Sequence, residues 1–332
     1  PKKIYLSSLY PFVSQWTVKE IDLGDIEIVE TYTKDFETIC CLVDEVVVGG
    51  GPLMDIEPLN HILYAFMQAA KYGKIARIEG CGVGPLLNPL YIDVVSEIFR
   101  LADHITVRDS ASARRAETDF GRKDIAVVPD PATNYVVNVK GSDRLRLPSD
   151  ETTDTKKVAC FLRKLTLEYK GDLDGESFDS LQQRFEAQLV QMLMYVSNSY
   201  HLELNLLPMH TFSVGGDDRK FNRKIVRDLE TAEGGGEPSK ASYERGILSP
   251  LEILQAMHHA RFNICMRFHS VLFAQTLGVP YLAIDYTSGG KIEAYLRDRN
   301  ELNRLMTLED IAQGRWKEKV DDCLAEGLLM LS

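Results

Sequence analysis

Two patterns alternate through the first half of the chain. Val46-Val47-Val48 is an apolar run of strand length, predicted to be buried, that breaks at Gly49-Gly50-Gly51-Pro52. Apolar residues at helical spacing follow over about 58–72 and stop at Gly73. Residues 74–79 alternate as a strand, then break at Gly80-Cys81-Gly82-Val83-Gly84-Pro85. Next come a predicted helix over about 90–101, a strand at Ile105-Thr106-Val107 and a helix from near Ser112. A strand over 125–128 ends in Pro129-Asp130-Pro131. Such alternation predicts an α/β fold with a parallel sheet covered on both faces.

Apolar periodicity is lost between about 140 and 157. Gly141-Ser142-Asp143 and the polar stretch 148–154 predict a linker, 140–157, between a domain over 1–145 and another over 155–332. The second half restarts with Val158-Ala159-Cys160-Phe161-Leu162, a strand ending at Arg163. A long amphipathic helix over about 178–199 feeds a strand at 202–207. Residues 210–245 are polar, with Gly215-Gly216 and Gly234-Gly235-Gly236, and are expected to be mobile at their centre.

The stretch 249–291 carries the most chemistry. Ser249-Pro250-Leu251-Glu252 is a helix start in which Ser caps, Pro takes the first turn and Glu reaches back. Leu251, Leu254 and Met257 then recur at helical spacing. Phe262-Asn263-Ile264-Cys265-Met266 is too short for a helix and predicts a buried strand, which Arg267-Phe268-His269-Ser270 leaves. A helix over 270–277 ends at Gly278, and Pro280 precedes the strand Tyr281-Leu282-Ala283-Ile284-Asp285. Tyr286-Thr287-Ser288-Gly289-Gly290-Lys291 leads into another helix. This βαβ unit puts Arg267, His269 and Lys291 at carboxyl ends of strands, the edge where open parallel sheets bind ligands.

An arginine directly after five buried-strand residues must pair locally or face a ligand, and its planar fork suits phosphate and carboxylate. Arg163 holds the equivalent strand end. Arg108 leaves a strand of the first domain and is a further candidate, the plainer alternative being an ion pair with Asp109 or a neighbour. Gly49, Gly50 and Gly51 permit either a close backbone approach to a ligand or simply a tight turn. Gly80 to Pro85 lacks the Lys-Ser/Thr of a P-loop, so no nucleoside triphosphate site is expected. Cys81 reads as a small buried residue rather than a nucleophile. His258-His259 have no ligand-spaced partners, and no metal is expected.

Met266-Arg267-Phe268-His269-Ser270, with Ala274, Gly278-Val279-Pro280, Tyr286 and Lys291, resembles the polysaccharide pyruvyl transferases. The resemblance is strongest over 249–291 and good over 46–55, and it touches Gly80 to Pro85, 105–110 and Pro129-Asp130-Pro131. The start departs from it: of the Gly/Asn-rich turn ending in Gly-Asp, only Gly24-Asp25 is echoed. It implies a GT-B fold, two Rossmann-like domains facing across a cleft, with the acceptor on the first and the donor on the second. It further implies phosphoenolpyruvate as co-substrate and no other cofactor. The acceptor would be a saccharide, free or lipid-linked, belonging to a cell-surface polysaccharide or its precursor, and the product a pyruvate ketal. Arg163, Arg267, Lys291 and Arg108 would bind the donor, and Gly49, Gly50, Gly51 and Asp55 would form a substrate loop. His269 would be the catalytic acid, since C3 of the donor needs a proton and imidazolium can supply one near neutral pH.

Composition narrows the picture. A chain of 332 residues is long enough for two domains with proper cores, and 45% hydrophobic with 26% charged residues describes an ordinary globular protein. A net charge of −11 argues against nucleic acid and against adsorption to anionic membranes, so an anionic substrate needs a locally basic pocket. No apolar run approaches the ~20 residues of a membrane helix. Six cysteines, Cys40 and Cys41 adjacent and the other four scattered, without a C-x-x-C pair, fit a reducing compartment. With the resemblance, this places the protein in the cytoplasm or at the inner face of the membrane. The chain opens on Pro1, which leaves open a removed targeting segment or a place within a longer protein. Two rivals stand beside the resemblance: a GT-B glycosyltransferase using a sugar nucleotide, and a non-catalytic carbohydrate-binding module. The close Arg-x-His and Gly-Gly-Lys pattern favours pyruvyl transfer over the first. The presence of Arg267, His269 and Lys291 together speaks against the second.

Overall fold

Every strand pairing among the described residues is parallel. The computed structural model describes residues 3–22, 24–145, 156–166, 177–212, 216–232, 240–287 and 290–330. The chain divides into two compact units, Pro1–Asn134 and Tyr135–Ser332.

The first unit holds β1 (Ile4–Ser8), β2 (Ile26–Glu30), β3 (Glu45–Gly49), β4 (Pro52–Leu53), β5 (Ile75–Val83), β6 (His104–Val107) and β7 (Ile125–Val127). Its larger sheet runs β3-β5-β6-β7, with β4 beside β5. Phe66, Ile78, Val95, Ile98, Phe99 and Val107 are fully buried at its centre. Residues before 45, given no elements from sequence, form β1, β2 and the helices Pro11–Ile21 and Lys34–Leu42. Their apolar runs are short, Ile4-Tyr5-Leu6 in β1 and Ile28-Val29 in β2. Because β1 pairs with β2 and not with β3, β3 is an edge strand. Val47 is accordingly 55% exposed, and the valine run is not the buried strand expected.

The second unit holds β8 (Lys157–Phe161), β9 (Glu203–Leu206), β10 (Ala241–Tyr243), β11 (Phe262–Cys265), β12 (Tyr281–Asp285) and β13 (Leu305–Thr307), in the order β10-β9-β8-β11-β12-β13. The chain starts in the middle, winds outward to β10, then returns to lay β11 against β8. Strand order therefore reverses between β8 and β11, the place where open α/β sheets bind their ligands. Cys265 is level with Phe161 on one side and Ala283 on the other, so β8, β11 and β12 finish close together.

Helices of this unit follow their sequence signals. The capping box of Ser249 and Glu252 forms, and Ile253, Leu254 and Met257 bury one face of Pro250–His259. Phe268–Leu277 is buried at Val271, Leu272, Phe273, Ala274 and Leu277, as fits a helix covered on most sides. The polar stretch 210–245 departs from expectation, for it contains the helix Asp218–Thr231 and β10. Asp217 caps that helix through the Arg219 amide, and Phe221, Ile225, Val226 and Leu229 bury a face at helical spacing. Gly234-Gly235-Gly236 lie outside the described residues.

The helix Ala132–Lys140 crosses the boundary between units. Lys140 Nζ donates to the Thr276 carbonyl (3.2 Å) and Gln255 Nε2 to the Arg144 carbonyl (2.8 Å), which ties 140–145 to the second unit. Residues 146–155 of the expected linker lie outside the described residues. Among the described residues no helix is long and apolar enough to cross a membrane.

Candidate functional site

At the carboxyl edge of the second sheet, β12 ends in Asp285, a buried carboxylate that organises the turn after it. Oδ1 accepts from the Thr287 amide (3.0 Å) and hydroxyl (2.6 Å). Oδ2 accepts from the amides of Ile292 (3.1 Å) and Glu293 (2.8 Å), which fastens the start of the helix Lys291–Arg297. Gly290 precedes that helix at φ +57°, where a Cβ would be strained and would come within 3.0 Å of Glu293 Oε2. This clamp fixes both Tyr286 and Lys291. Ser288 and Gly289 lie outside the described residues.

Tyr286 is 2% exposed. Arg163, two residues beyond β8 and also buried, donates from Nη1 to the Tyr286 hydroxyl at 2.6 Å. Its guanidinium carbon lies 4.5 Å from the centre of the Tyr286 ring, and Lys291 Nζ lies 5.6 Å from it. Burial pushes the phenol pKa up, but the charges of Lys291, Arg163 and Arg267 outweigh burial and hold it below the ordinary value. Two of the cations expected to bind the donor, Arg163 and Lys291, thus stand against one side chain, beside the point where strand order reverses.

Arg267 caps the helix Phe268–Leu277. Its Nε donates to Asp218 Oδ2 (3.1 Å) and its Nη2 to Asp218 Oδ1. Nη2 also reaches the Gly216 carbonyl at 3.5 Å, which leaves Nη1 for a ligand. The bidentate partner of this guanidinium is therefore Asp218. That carboxylate also accepts from the amides of Met209 (3.2 Å) and His210 (3.0 Å), so the helix Asp218–Thr231 braces Arg267 against the loop after β9. His269 is the second residue of the arginine's own helix. It is half-buried, edge-on to Phe268 (5.5 Å between ring centres) and tilted against Phe273 (6.0 Å).

Asp218 escaped the sequence reading because the segment around it is polar. The available signal was Asp217 ahead of Phe221, Ile225 and Leu229, a cap followed by apolar residues four apart. Asp218→Asn should weaken binding of an anionic donor several-fold, because Arg267 loses its brace. It should also destabilise the fold by about 1–3 kcal/mol, the cost of a weakened hydrogen-bond set to a charged group. Donor titration and urea unfolding of the variant check both, and an unchanged donor affinity would remove Asp218 from the site.

The remaining candidates belong to the first unit. Arg108 leaves β6 and is buried, with Nη1 donating to Asp130 Oδ2 (3.1 Å) and to the Gly50 carbonyl (3.2 Å), while Nε lies 3.7 Å from Asp109 Oδ2. It ties the glycine loop to Pro129-Asp130-Pro131. Gly49 ends β3, Gly51 leads into β4, and Gly50 between them has φ +68°, which only glycine adopts freely. Asp55 Oδ2 accepts the amides of Leu87 (2.8 Å) and Asn88 (3.0 Å), holding the loop ahead of the helix Pro89–Leu101. Burial pushes the Cys81 thiol up to about 12, which keeps it protonated and unreactive. No group of three or more His, Cys, Asp or Glu among the described residues is placed to hold a metal ion.

The family model for polysaccharide pyruvyl transferase matches residues 11–288. The chain belongs to that family. The resemblance carried by Met266-Arg267-Phe268-His269-Ser270 is thereby borne out, and the protein falls in a transferase family that acts on polysaccharides. No curated protein matches this pyruvyl transferase family member in sequence. Among solved structures it is similar to the UDP-GlcNAc 2-epimerase from Methanocaldococcus jannaschii, at 12% identity, 95% of this chain and 91% of that one, with a TM-score of 0.58. A UDP-N-acetylglucosamine 2-epimerase from Listeria monocytogenes gives 14% identity, 98% and 91% coverage and a TM-score of 0.59. The trehalose-6-phosphate synthase OtsA gives 10% identity, 95% and 73% coverage and a TM-score of 0.53. At such identities the likeness speaks to fold alone, and the fold is GT-B, as expected from the sequence.

Proposed function

We propose that the protein transfers the pyruvyl group of phosphoenolpyruvate to hydroxyls of a sugar in a polysaccharide or its precursor, closing a ketal. One observation carries this beyond the family: Arg163 and Lys291 stand against Tyr286 beside the reversal of strand order, and Arg267 leaves the neighbouring strand β11. In a chain of net charge −11, that is a local basic site of the kind a small dense anion needs. Phosphate and carboxylate of the donor are both suited to it.

The chemistry needs an acid at C3. His269 gives its proton there, and C2 becomes electrophilic toward the first sugar hydroxyl. That hydroxyl adds to C2, the bond from C2 to the phosphate oxygen breaks, and the second hydroxyl closes the ketal. Of the two hydroxyl protons, one replaces that spent on C3 and the other leaves with phosphate. Arg163, Lys291 and Nη1 of Arg267 hold the donor by its phosphate and carboxylate.

A donor panel tests the proposal. Phosphate should be released from phosphoenolpyruvate only when a saccharide acceptor is present, and sugar nucleotides should give no transfer. Turnover of a sugar nucleotide with phosphoenolpyruvate inert would overturn it. Because side-chain cations supply the positive charge, chelation of divalent ions should leave the rate unchanged. Loss of activity with a chelator, restored by magnesium or manganese, would contradict that.

A further inference from the structure

We propose that Tyr286 is the positioning residue of this anion site: its hydroxyl aims the Arg163 guanidinium, and its ring lets Arg163 and Lys291 stand together beside one bound anion. The inference rests on the proposed reading of the site as the donor site, and it assigns a role to a residue that binds no donor group itself.

Three features of the geometry lead here. First, the 2.6 Å bond from Arg163 Nη1 ends on the Tyr286 hydroxyl, so one arm of the guanidinium is fixed by a neutral oxygen. A carboxylate there would cancel the charge that the ligand needs, whereas a phenol orients the cation and leaves its charge intact. Second, the same ring has the Arg163 guanidinium carbon 4.5 Å and the Lys291 ammonium 5.6 Å from its centre. Two like charges in a buried site repel, and the negative face of an aromatic ring is attractive to both. Third, Tyr286 is itself immobilised. It is 2% exposed and follows Asp285, whose four hydrogen bonds close the turn that also places Lys291.

The contrast with Arg267 sharpens the point. Arg267 is braced by the Asp218 carboxylate and is largely neutralised by it. Arg163 and Lys291 share an aromatic neighbour, the Tyr286 ring. Tyr286 is the element common to those two. The depressed phenol pKa is what an aromatic hydroxyl caught in that field should show.

The test is calorimetric titration of phosphoenolpyruvate, and separately of inorganic phosphate, into wild type, Tyr286→Phe and Tyr286→Leu, with steady-state kinetics alongside. Phe keeps the ring and loses the tether to Arg163, so donor affinity should fall roughly ten-fold, the worth of one hydrogen bond to a charged group. Leu loses the ring as well and should fall a further several-fold. The loss should appear as a raised donor KM with kcat much less affected, because the acid and the reacting atoms are untouched. In Arg163→Ala, adding Tyr286→Phe should cost little more, since the tether has already lost its partner.

Donor affinity equal to wild type in both Tyr286 variants would overturn the inference and leave the pyruvyl reading standing. So would full multiplication of the Arg163→Ala and Tyr286→Phe losses. Phosphate binding with the stated Tyr286 dependence, but no phosphoenolpyruvate binding, would sink the pyruvyl reading and leave the inference intact. Binding of neither ligand to wild type overturns both. A variant that lowers the melting temperature without moving donor KM shows a merely structural tyrosine.

Discussion

Replacing His269 with glutamine should lower turnover by roughly 10²–10⁴, the usual worth of a positioned general acid. Glutamine preserves a hydrogen bond but has no proton to give, so His269→Gln should bind donor better than His269→Ala while being nearly as inactive. His269 is half-buried on the first turn after Arg267. If His269 only held phosphate, glutamine would lower affinity and turnover modestly and to a similar extent. Donor titration and steady-state kinetics on the two variants separate these outcomes.

Arg163→Ala and Arg267→Ala should each weaken the donor at least ten-fold, since a hydrogen bond to a charged group is worth about 1.5–3 kcal/mol. They should differ in stability. Removing Arg267 strands the Asp218 carboxylate, whose side chain is 2% exposed, and breaking one side of a buried pair costs about 3–5 kcal/mol. Arg267→Lys keeps a charge for Asp218 but cannot also present a planar second edge to the donor. Lysine should therefore restore most of the stability and little of the affinity. Unfolding and donor titration of the three variants measure the split. Equal recovery of both by lysine would mean that Arg267 acts on the donor as a plain charge.

Much of the second unit was legible because its signals are local. The Ser249/Glu252 capping box, the five apolar residues before Arg267 and the glycines flanking the next turn each act within a few residues. Alternation of strands and helices then implied a parallel sheet, and with it the carboxyl edge that carries Arg163, Arg267, His269 and Lys291. What sequence did not show is which neighbours each cation keeps. Asp218 lies 49 residues before Arg267, and Tyr286 lies 123 residues after Arg163. Such pairings depend on the winding of the sheet. In the first unit, Val46-Val47-Val48 has the composition of a central strand, yet its burial was decided by β1 pairing with β2. Arg108 is the same lesson in reverse: its strand-end position was readable, its bond to Asp130 was not.

The central claim is that the pyruvyl carbons of phosphoenolpyruvate end up on a sugar after protonation at C3. The most direct measurement is mass analysis of an acceptor saccharide incubated with the protein and phosphoenolpyruvate in heavy water. The expected product is acceptor carrying one pyruvate ketal with a single solvent deuterium in its methyl group, formed in step with released phosphate. Acceptor recovered unchanged while phosphate is released, or a ketal free of solvent deuterium, would contradict the account.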